Sequence, residues 1–393
     1  MFVVRSACLW VSLALFCVLP GCGGEAEAPL SSQCALRAIA LYQAVKVPLM
    51  SDGVPSTERS APIVAGRPGM FRLFVDDNFA DQRGMDRLRV DAELHLFDEG
   101  DHEVAVVSAR DQRVATAIEE SLETTIALRF DGNAIRPRSR FYVVLRRAGT
   151  TGDIGCVRYP TAGTESLAVR PEPAKLKIRL VPLTYGRDGT NRFPDVSPEE
   201  LGRLERGLFD LYPVASVSIA VRESIPWPSS VSADGEGWDA ALDAVMALRN
   251  SDALAADVYD VGLVAPADSY EVFCRYGCVA GEHATSFQTR RDPVKGRAVI
   301  VLGYPDDWIR TIAHELGHAM GRDHAPCGRV VDDIDVHYPY ADGLLGSFGY
   351  SLSTGRLVGS HRGDLMGYCR SIGVSDYTYS ALFERIALVT SER

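Results

Sequence analysis

The sequence predicts an α+β multidomain chain in which an N-terminal immunoglobulin-like β-sandwich precedes a domain of alternating strands and helices. In residues 34–170, roughly six short segments alternate apolar and polar side chains, and turn residues separate them. From residue 174 to residue 393, strand patterns alternate with helical patterns instead. The stiff, polar stretch Arg170-Pro171-Glu172-Pro173 is the predicted boundary between the two domains.

The composition is that of an ordinary globular protein. A chain of 393 residues predicts about two or three domains. Its 46% of hydrophobic residues can form a sizeable core, which excludes a mostly disordered chain. The net charge is −11, and long runs of Lys and Arg are missing from the sequence. Because binding to phosphates requires clustered positive charge, the sequence argues against a nucleic-acid partner.

Residues 1–21 are predicted to be a lipoprotein signal peptide. Arg5 supplies a positive charge, and an apolar run follows it from about residue 7 to residue 19. The next residues, Leu19-Pro20-Gly21-Cys22, resemble the bacterial lipobox, in which the chain is cut before a cysteine that then carries lipids. An ordinary secretory signal is the alternative interpretation. Residues 22–33 resemble a short flexible tether.

The expected location is therefore the bacterial cell envelope. Lipids on Cys22 would hold the protein at a membrane without a transmembrane helix. Aspartate does not follow Cys22, which by resemblance to bacterial lipoproteins favours the outer membrane; secretion is the alternative. The protein is expected to be a monomer.

The remaining cysteines fit an oxidising compartment. The chain has 9 cysteines, and an even number remains once Cys22 and the two in the signal peptide are set aside. Their positions favour three disulfides, although other connectivities and free thiols are alternatives. The favoured pairs are Cys34–Cys156, Cys274–Cys278 and Cys327–Cys369.

One segment of the second domain carries metal-binding chemistry. His314 and His318 lie four residues apart, so a helix places both imidazoles on one face. Gly321 can adopt a positive φ and end the helix sharply, which would let His324 return as a third ligand. Three histidines leave one coordination position of Zn²⁺ for water, as in catalytic sites. Glu315 would then accept a proton from that water and pass it to a leaving amine.

The complete pattern HExxHxxGxxH, with Met366 after it, resembles the metzincin clan of zinc endopeptidases. The resemblance implies a metzincin-like α/β catalytic domain over residues 174–393, with one catalytic Zn²⁺ above a methionine turn at Met366. It also suggests that Tyr368 binds zinc or stabilises the oxyanion, although a packed core tyrosine is the alternative. The segment between His337 and His361 is expected to form part of the substrate pocket.

The resemblance implies hydrolysis of peptide bonds in exported or extracellular proteins. The alternatives are a catalytically silent binding or adhesion lipoprotein and hydrolysis of a non-peptide bond. Residues 278–285 are a candidate edge strand for binding the substrate backbone, with a plain surface loop as the alternative. In this interpretation His283 is not required as a metal ligand.

Overall fold

The computed structural model describes residues 34–77, 88–150, 157–171, 174–284, 297–330, 332–369 and 372–391. The predicted signal peptide, the tether, Cys22 and Cys156 lie outside these residues. So do residues 172 and 173 of the predicted boundary. Among the described residues, none of the helices has both the length and the apolar character needed to cross a bilayer.

The first half of the described chain consists of strands and short 3-10 turns. Its strands are β1 (Cys34–Ser51), β2 (Val54–Pro55), β3 (Ile63–Val64), β4 (Gly69–Asp77), β5 (Arg89–Phe97), β6 (Glu103–Arg113), β7 (Ile126–Phe130), β8 (Arg140–Arg147), β9 (Val157–Tyr159), β10 (Glu165–Ser166) and β11 (Val169–Arg170).

The second half adds helices and further strands. The strands are β12 (Lys175–Tyr185), β13 (Ser216–Val221), β14 (Ile225–Trp227), β15 (Val258–Val264), β16 (Gly281–His283), β17 (Ala298–Leu302), β18 (Gly349–Ser351), β19 (Arg356–Val358), β20 (Gly363–Asp364) and β21 (Ile372–Gly373). The helices are α1 (Pro198–Leu211), α2 (Trp238–Ser251), α3 (Tyr270–Phe273), α4 (Pro305–Ala319) and α5 (Asp376–Ser391).

Two larger sheets form from the first half, and one of them receives strands from the end of the chain. The first sheet has the order β19-β18-β1-β4-β7, with β2 also paired to β1. The second has the order β10-β8-β5-β6, with β9 also paired to β8. In the first sheet Ala44 pairs with Tyr350, and the hydroxyl of Tyr350 accepts a hydrogen bond from Arg129 Nε at 3.0 Å. The hairpin β18–β19 therefore belongs to a sheet built mainly from the N-terminal half.

The third large sheet positions the histidine-bearing helix. Its order is β13-β12-β15-β17-β16, with β14 also paired to β12. All of its pairings are parallel except that of β16 with β17. Alternate residues of β17 enter two different cores: Val299 and Val301 pack with α1 and α4, whereas Ile300 and Leu302 pack with α2. The strand is thus covered on both faces, which explains its continuous apolar sequence.

The predicted fold class, an immunoglobulin-like β-sandwich followed by a metzincin-like α/β catalytic domain, is wrong as stated. The structure is mostly strand, spread over several sheets with few helices, and does not match such an α/β domain. The strands of two or three residues are too short to give a periodic pattern. Within the segment between His337 and His361, residues 349–358 form β18 and β19 of the first sheet. The expected role of that segment in a substrate pocket stays a prediction. An immunoglobulin-like arrangement of the N-terminal strands remains compatible with the sheets.

A buried arginine joins the two halves. Arg67 is completely buried and donates hydrogen bonds to the carbonyl oxygens of Phe209 and Val214, both at 2.6 Å. Its guanidinium also lies 4.3 Å from the centroid of the Phe209 ring. Burial lowers the pKa of this side chain. These contacts attach the turn before β4 to the end of α1 and the segment that follows.

We expect Arg67→Met to lower the free energy of unfolding by about 2–4 kcal/mol, because the carbonyl groups of Phe209 and Val214 lose their donors. Denaturant unfolding followed by circular dichroism measures the change. The exposed Arg206 on α1 provides the control, and Arg206→Met should change the stability by no more than about 0.5 kcal/mol. Equal stabilities of the two variants would show that Arg67 does not join the halves.

Candidate metal centre

Helix α4 carries two of the three candidate ligands and the candidate general base. Pro305 occupies its first turn, where a missing N–H costs nothing, and Asp306 and Asp307 favour its positive end. The helix buries Trp308, Ile312 and Leu316 in the main core. His314, Glu315 and His318 are also buried, at 9%, 7% and 2% exposure, so the helix holds them in place.

The chain reverses direction directly after α4. Gly321 has a φ of 83°, the left-handed conformation that glycine adopts without a steric penalty. The N–H of Arg322 then donates to the carbonyl of Gly317 at 3.0 Å, which closes the end of the helix. Beyond the turn, His324 exchanges backbone hydrogen bonds of 2.8 Å with Asp333 and Asp335. His324 therefore sits on a fixed segment.

The three imidazoles converge on one point. The Nε2 atom of His318 lies 3.0 Å from that of His314 and 3.1 Å from that of His324. Nitrogen ligands at about 2.0–2.1 Å from a tetrahedral zinc ion lie about 3.3 Å apart, close to these separations. The three side chains could therefore hold one metal ion.

The opposite nitrogen of each ring explains why the Nε2 atoms are free to bind a metal. Each Nδ1–H donates to a backbone carbonyl: His314 to Leu365 at 2.8 Å, His318 to Arg322 at 2.7 Å, and His324 to Asp332 at 2.9 Å. A neutral imidazole that donates from Nδ1 presents a lone pair at Nε2. Three lone pairs pointing at one another repel unless a cation lies between them, so the donor set fits a metal.

The electrostatic environment favours neutral rings. Burial, followed by the nearby His314, lowers the pKa of His318 well below its ordinary value of 6.5. Burial also lowers the pKa of His324. Because a histidine must be neutral to coordinate a metal, these shifts favour metal binding by His318 and His324 at neutral pH.

Met366 packs against Gly317 of the helix that carries His314 and His318. It is 1% exposed, and a Cβ at Gly317 would collide with its sulfur atom. Asp364 is completely buried and accepts 2.9 Å hydrogen bonds from the N–H groups of Met366 and Ser375. Burial raises the pKa of Asp364. The turn at Met366 is therefore fixed from two sides.

Tyr368 borders the histidines from the solvent side. Its ring lies 4.9 Å from that of His324 and 5.6 Å from that of His314, and the residue is 49% exposed. Burial of part of the ring, followed by the charge of Glu315, raises the pKa of Tyr368. The catalytic roles assigned to Tyr368 and Glu315 stay predictions.

His283 is the residue at this site that the sequence-based reasoning missed. Its Nδ1 lies 3.0 Å from Oε2 of Glu315, and its ring stacks on that of His318 with centroids 4.2 Å apart. It reaches this position from β16, within the predicted edge segment 278–285. A Cβ at Gly281, two residues earlier, would lie 2.7 Å from Cγ of Glu315, so the strand approaches α4 closely. The sequence did contain a signal for this contact: Gly281 and His283 lie two residues apart, so a strand places both on the same face.

Two of the three favoured disulfides are present. Cys327–Cys369 joins the segment after His324 to the turn after Met366, with a Cα–Cα distance of 5.5 Å. Cys274–Cys278 closes a short turn after α3. Cys34 is buried, and its predicted partner Cys156 lies outside the described residues.

No protein-family model matches the chain. No curated protein sequence matches it either. The similar solved structures include metalloproteinase-II from Bacteroides fragilis, at 12% identity and a TM-score of 0.30, covering 84% of this chain and 85% of that chain.

Two other solved structures are similar over part of their length. A chain of a chaperone–substrate complex is 12% identical with a TM-score of 0.29, and the match covers 67% of this chain and 39% of that chain. A calcium-binding mutant of β-glucuronidase 2 from Bacteroides uniformis is 10% identical with a TM-score of 0.20, covering 60% of this chain and 25% of that chain. Such TM-scores carry no weight for function, which rests on the geometry of the site.

We expect His324→Ala to weaken metal binding by more than about 100-fold. Removing only a hydrogen bond that supports a ligand typically weakens metal binding by about 10–100-fold, and this variant removes a ligand itself. The variant keeps only two of the three converging nitrogens. Metal affinity is measured by competition with a chelator of known affinity. His102→Ala removes a histidine whose side chain is 81% exposed and should bind metal as the unchanged protein does. Undiminished affinity in His324→Ala would contradict the three-histidine site.

Proposed function

We propose that the protein is a metzincin-type zinc endopeptidase that hydrolyses peptide bonds of exported or extracellular proteins. The observation that carries this proposal is the convergence of three imidazole nitrogens next to a buried carboxylate, Glu315. Three protein ligands leave a coordination position open, which is typical of catalytic rather than structural zinc. Imidazole donors suit several transition metals, and the resemblance of the motif to metzincins selects zinc among them.

When bound, a zinc ion supplies a Lewis acid that polarises a carbonyl group and makes water more acidic. Glu315 provides the base. Its carboxylate accepts a proton from the attacking water and delivers it to the nitrogen of the leaving amine. The contact between Oε2 and His283 Nδ1 at 3.0 Å holds the carboxylate in one orientation. Its burial to 7% exposure limits competition from bulk water.

Tyr368 is proposed to stabilise negative charge on the substrate carbonyl oxygen. The raised pKa of Tyr368 keeps its hydroxyl protonated at neutral pH, so that it can donate a hydrogen bond. Its position against the rings of His314 and His324 places it at the border of the site. Partial exposure leaves room for a substrate to reach it.

The peptide substrate is proposed to bind along β16. Among the described strands, this one is the terminal member of its sheet order, and an extended peptide would pair with its outer edge. Because β16 passes within contact distance of Glu315, a peptide on that edge would lie close to the base.

We expect Glu315→Gln to retain the metal and to reduce the rate of peptide cleavage by about 10²–10⁴-fold, because the amide cannot accept the proton. Cleavage of a mixed protein substrate, profiled by mass spectrometry with and without a chelator, measures the rate. Exposed Arg206→Met is the control and should leave cleavage unchanged. Undiminished, chelator-resistant cleavage in Glu315→Gln would refute the mechanism. If the unchanged, metal-loaded protein binds peptides without cleaving them, the binding or adhesion alternative is correct.

We further propose that the protein acts as a monomer anchored in the bacterial cell envelope, at the outer membrane, through lipids on Cys22. The proposal rests on the lipobox-like sequence Leu19-Pro20-Gly21-Cys22 and on the two disulfides, which fit an oxidising compartment.

We expect Cys22→Ser to abolish incorporation of labelled palmitate and to release the protein into the soluble fraction, because the lipid attachment atom is lost. The measurement is metabolic labelling followed by membrane fractionation in a bacterial host that processes lipoproteins. Cys8→Ser alters a cysteine of the predicted signal peptide and should leave labelling intact. Palmitate labelling that persists in Cys22→Ser would show that the anchor lies elsewhere.

A further inference from the structure

A second group of metal-ligating atoms adjoins the three-histidine site. His283, Glu315 and His318 each offer a nitrogen or oxygen atom within 4.8 Å of the others. His318 already contributes its Nε2 to the first group, so the atoms specific to the second group belong to His283 and Glu315. The general base of the proposed mechanism is therefore also a potential ligand.

We propose that His283 and Glu315 bind a second zinc ion, more weakly than the three histidines bind the first, and that this ion inhibits the protein. The proposed inhibition rests on the proposed function. The proposed binding of the second ion does not, because it depends only on the positions of His283 and Glu315.

The distance between the two ligands suits a shared ion. Nδ1 of His283 and Oε2 of Glu315 lie 3.0 Å apart. Two ligands at about 2.0–2.2 Å from one zinc ion lie about 2.9–3.4 Å apart for bond angles between 90° and tetrahedral. The second site has two ligands of its own, whereas the first has three, so we expect the second ion to bind more weakly. Two-metal hydrolase sites with ions about 3.5–4 Å apart provide a precedent for such close neighbours.

The second group is held in place before any ion binds. The His283 ring stacks on that of His318 with an interplanar angle of 17°. The side chains of His283 and Glu315 are 19% and 9% exposed, so both are confined yet reachable from solvent. Gly281 leaves room for the carboxylate, since a side chain there would overlap Glu315. Binding an ion thus costs little conformational entropy.

The local charge also favours a cation. Glu282 lies between the two strand residues that approach Glu315, and it is partly buried. The carboxylate on the residue next to His283 adds negative charge, which favours a divalent cation nearby.

The proposed inhibition follows from what the ion displaces. Without it, His283 Nδ1–H donates to Oε2 of Glu315 and leaves the carboxylate able to accept a proton. The ion replaces that hydrogen, which leaves as a proton to solvent, and it binds the lone pairs of both atoms. Glu315 bound to a cation cannot act as the base.

The test is a count of zinc ions bound by the purified protein at increasing concentrations of free zinc. Equilibrium dialysis followed by elemental analysis gives the count without any substrate. We expect a first ion to bind tightly and one more to bind at higher zinc. His283→Phe keeps a flat ring against His318 but has no ligating nitrogen, so it should lose the second ion and keep the first. Glu315→Gln should do the same.

His102→Ala is the matched control, because the His102 side chain is 81% exposed and belongs to neither group of ligands, and this variant should bind both ions. His283→Asn retains a hydrogen-bond donor near the Nδ1 position but is a poor zinc ligand, and it too should lose the second ion. Retention of the first ion in each variant shows that the site still folds.

Saturation of the unchanged protein at one ion, or a second ion that persists in His283→Phe, would overturn the proposal. Protein that binds two ions but cleaves no peptide would refute the proposed function and leave the second site standing. In an active protein, inhibition should require at least tenfold more zinc in His283→Phe than in the unchanged protein. Equal zinc sensitivity would refute the inhibitory role alone.

Discussion

The site depends on three imidazole nitrogens being held together although their lone pairs repel one another. The hydrogen bonds that hold them come from carbonyl groups of three separate segments, at Leu365, Arg322 and Asp332. These bonds fix the tautomer as well as the orientation of each ring. Folding holds the three rings together against this repulsion. A cation bound at their centre would remove the repulsion and so raise the free energy of unfolding.

Helix α4 holds His314 and His318 in position because another face of the helix packs in the main core. Trp308, Ile312 and Leu316 bury one side of the helix, which prevents rotation or displacement. Its partner β17 is apolar throughout and covered on both sides. Another face of α4 meets β16, the turn at Met366 and His324, and this is where its two histidines and Glu315 lie.

The amino-acid sequence predicts the parts of this site that depend on local spacing. His314 and His318 share a helix face because they lie four residues apart, and Gly321 allows the reversal that returns His324. The pairing of Cys327 with Cys369 followed from their positions beside two predicted site segments.

The features that the sequence did not predict depend on contacts between distant segments. His283 is an isolated histidine along the chain, and only the pairing of β16 with β17 carries it to Glu315. The strands β18 and β19 have three residues each, too few for a periodic pattern. Their partner β1 lies near the opposite end of the chain, so spacing provides no signal for the pairing. The error in fold class arose from such short strands and long-range pairings.

The pairing of Tyr350 with Ala44 also bears on how the protein is made. The first sheet cannot be completed until almost the whole polypeptide has left the ribosome. Until then, part of β1 presents unpaired backbone groups, which are prone to associate with other chains. A truncated N-terminal fragment would keep that open edge permanently, so shortened expression products of this protein should aggregate, whereas the full-length chain closes its own edge.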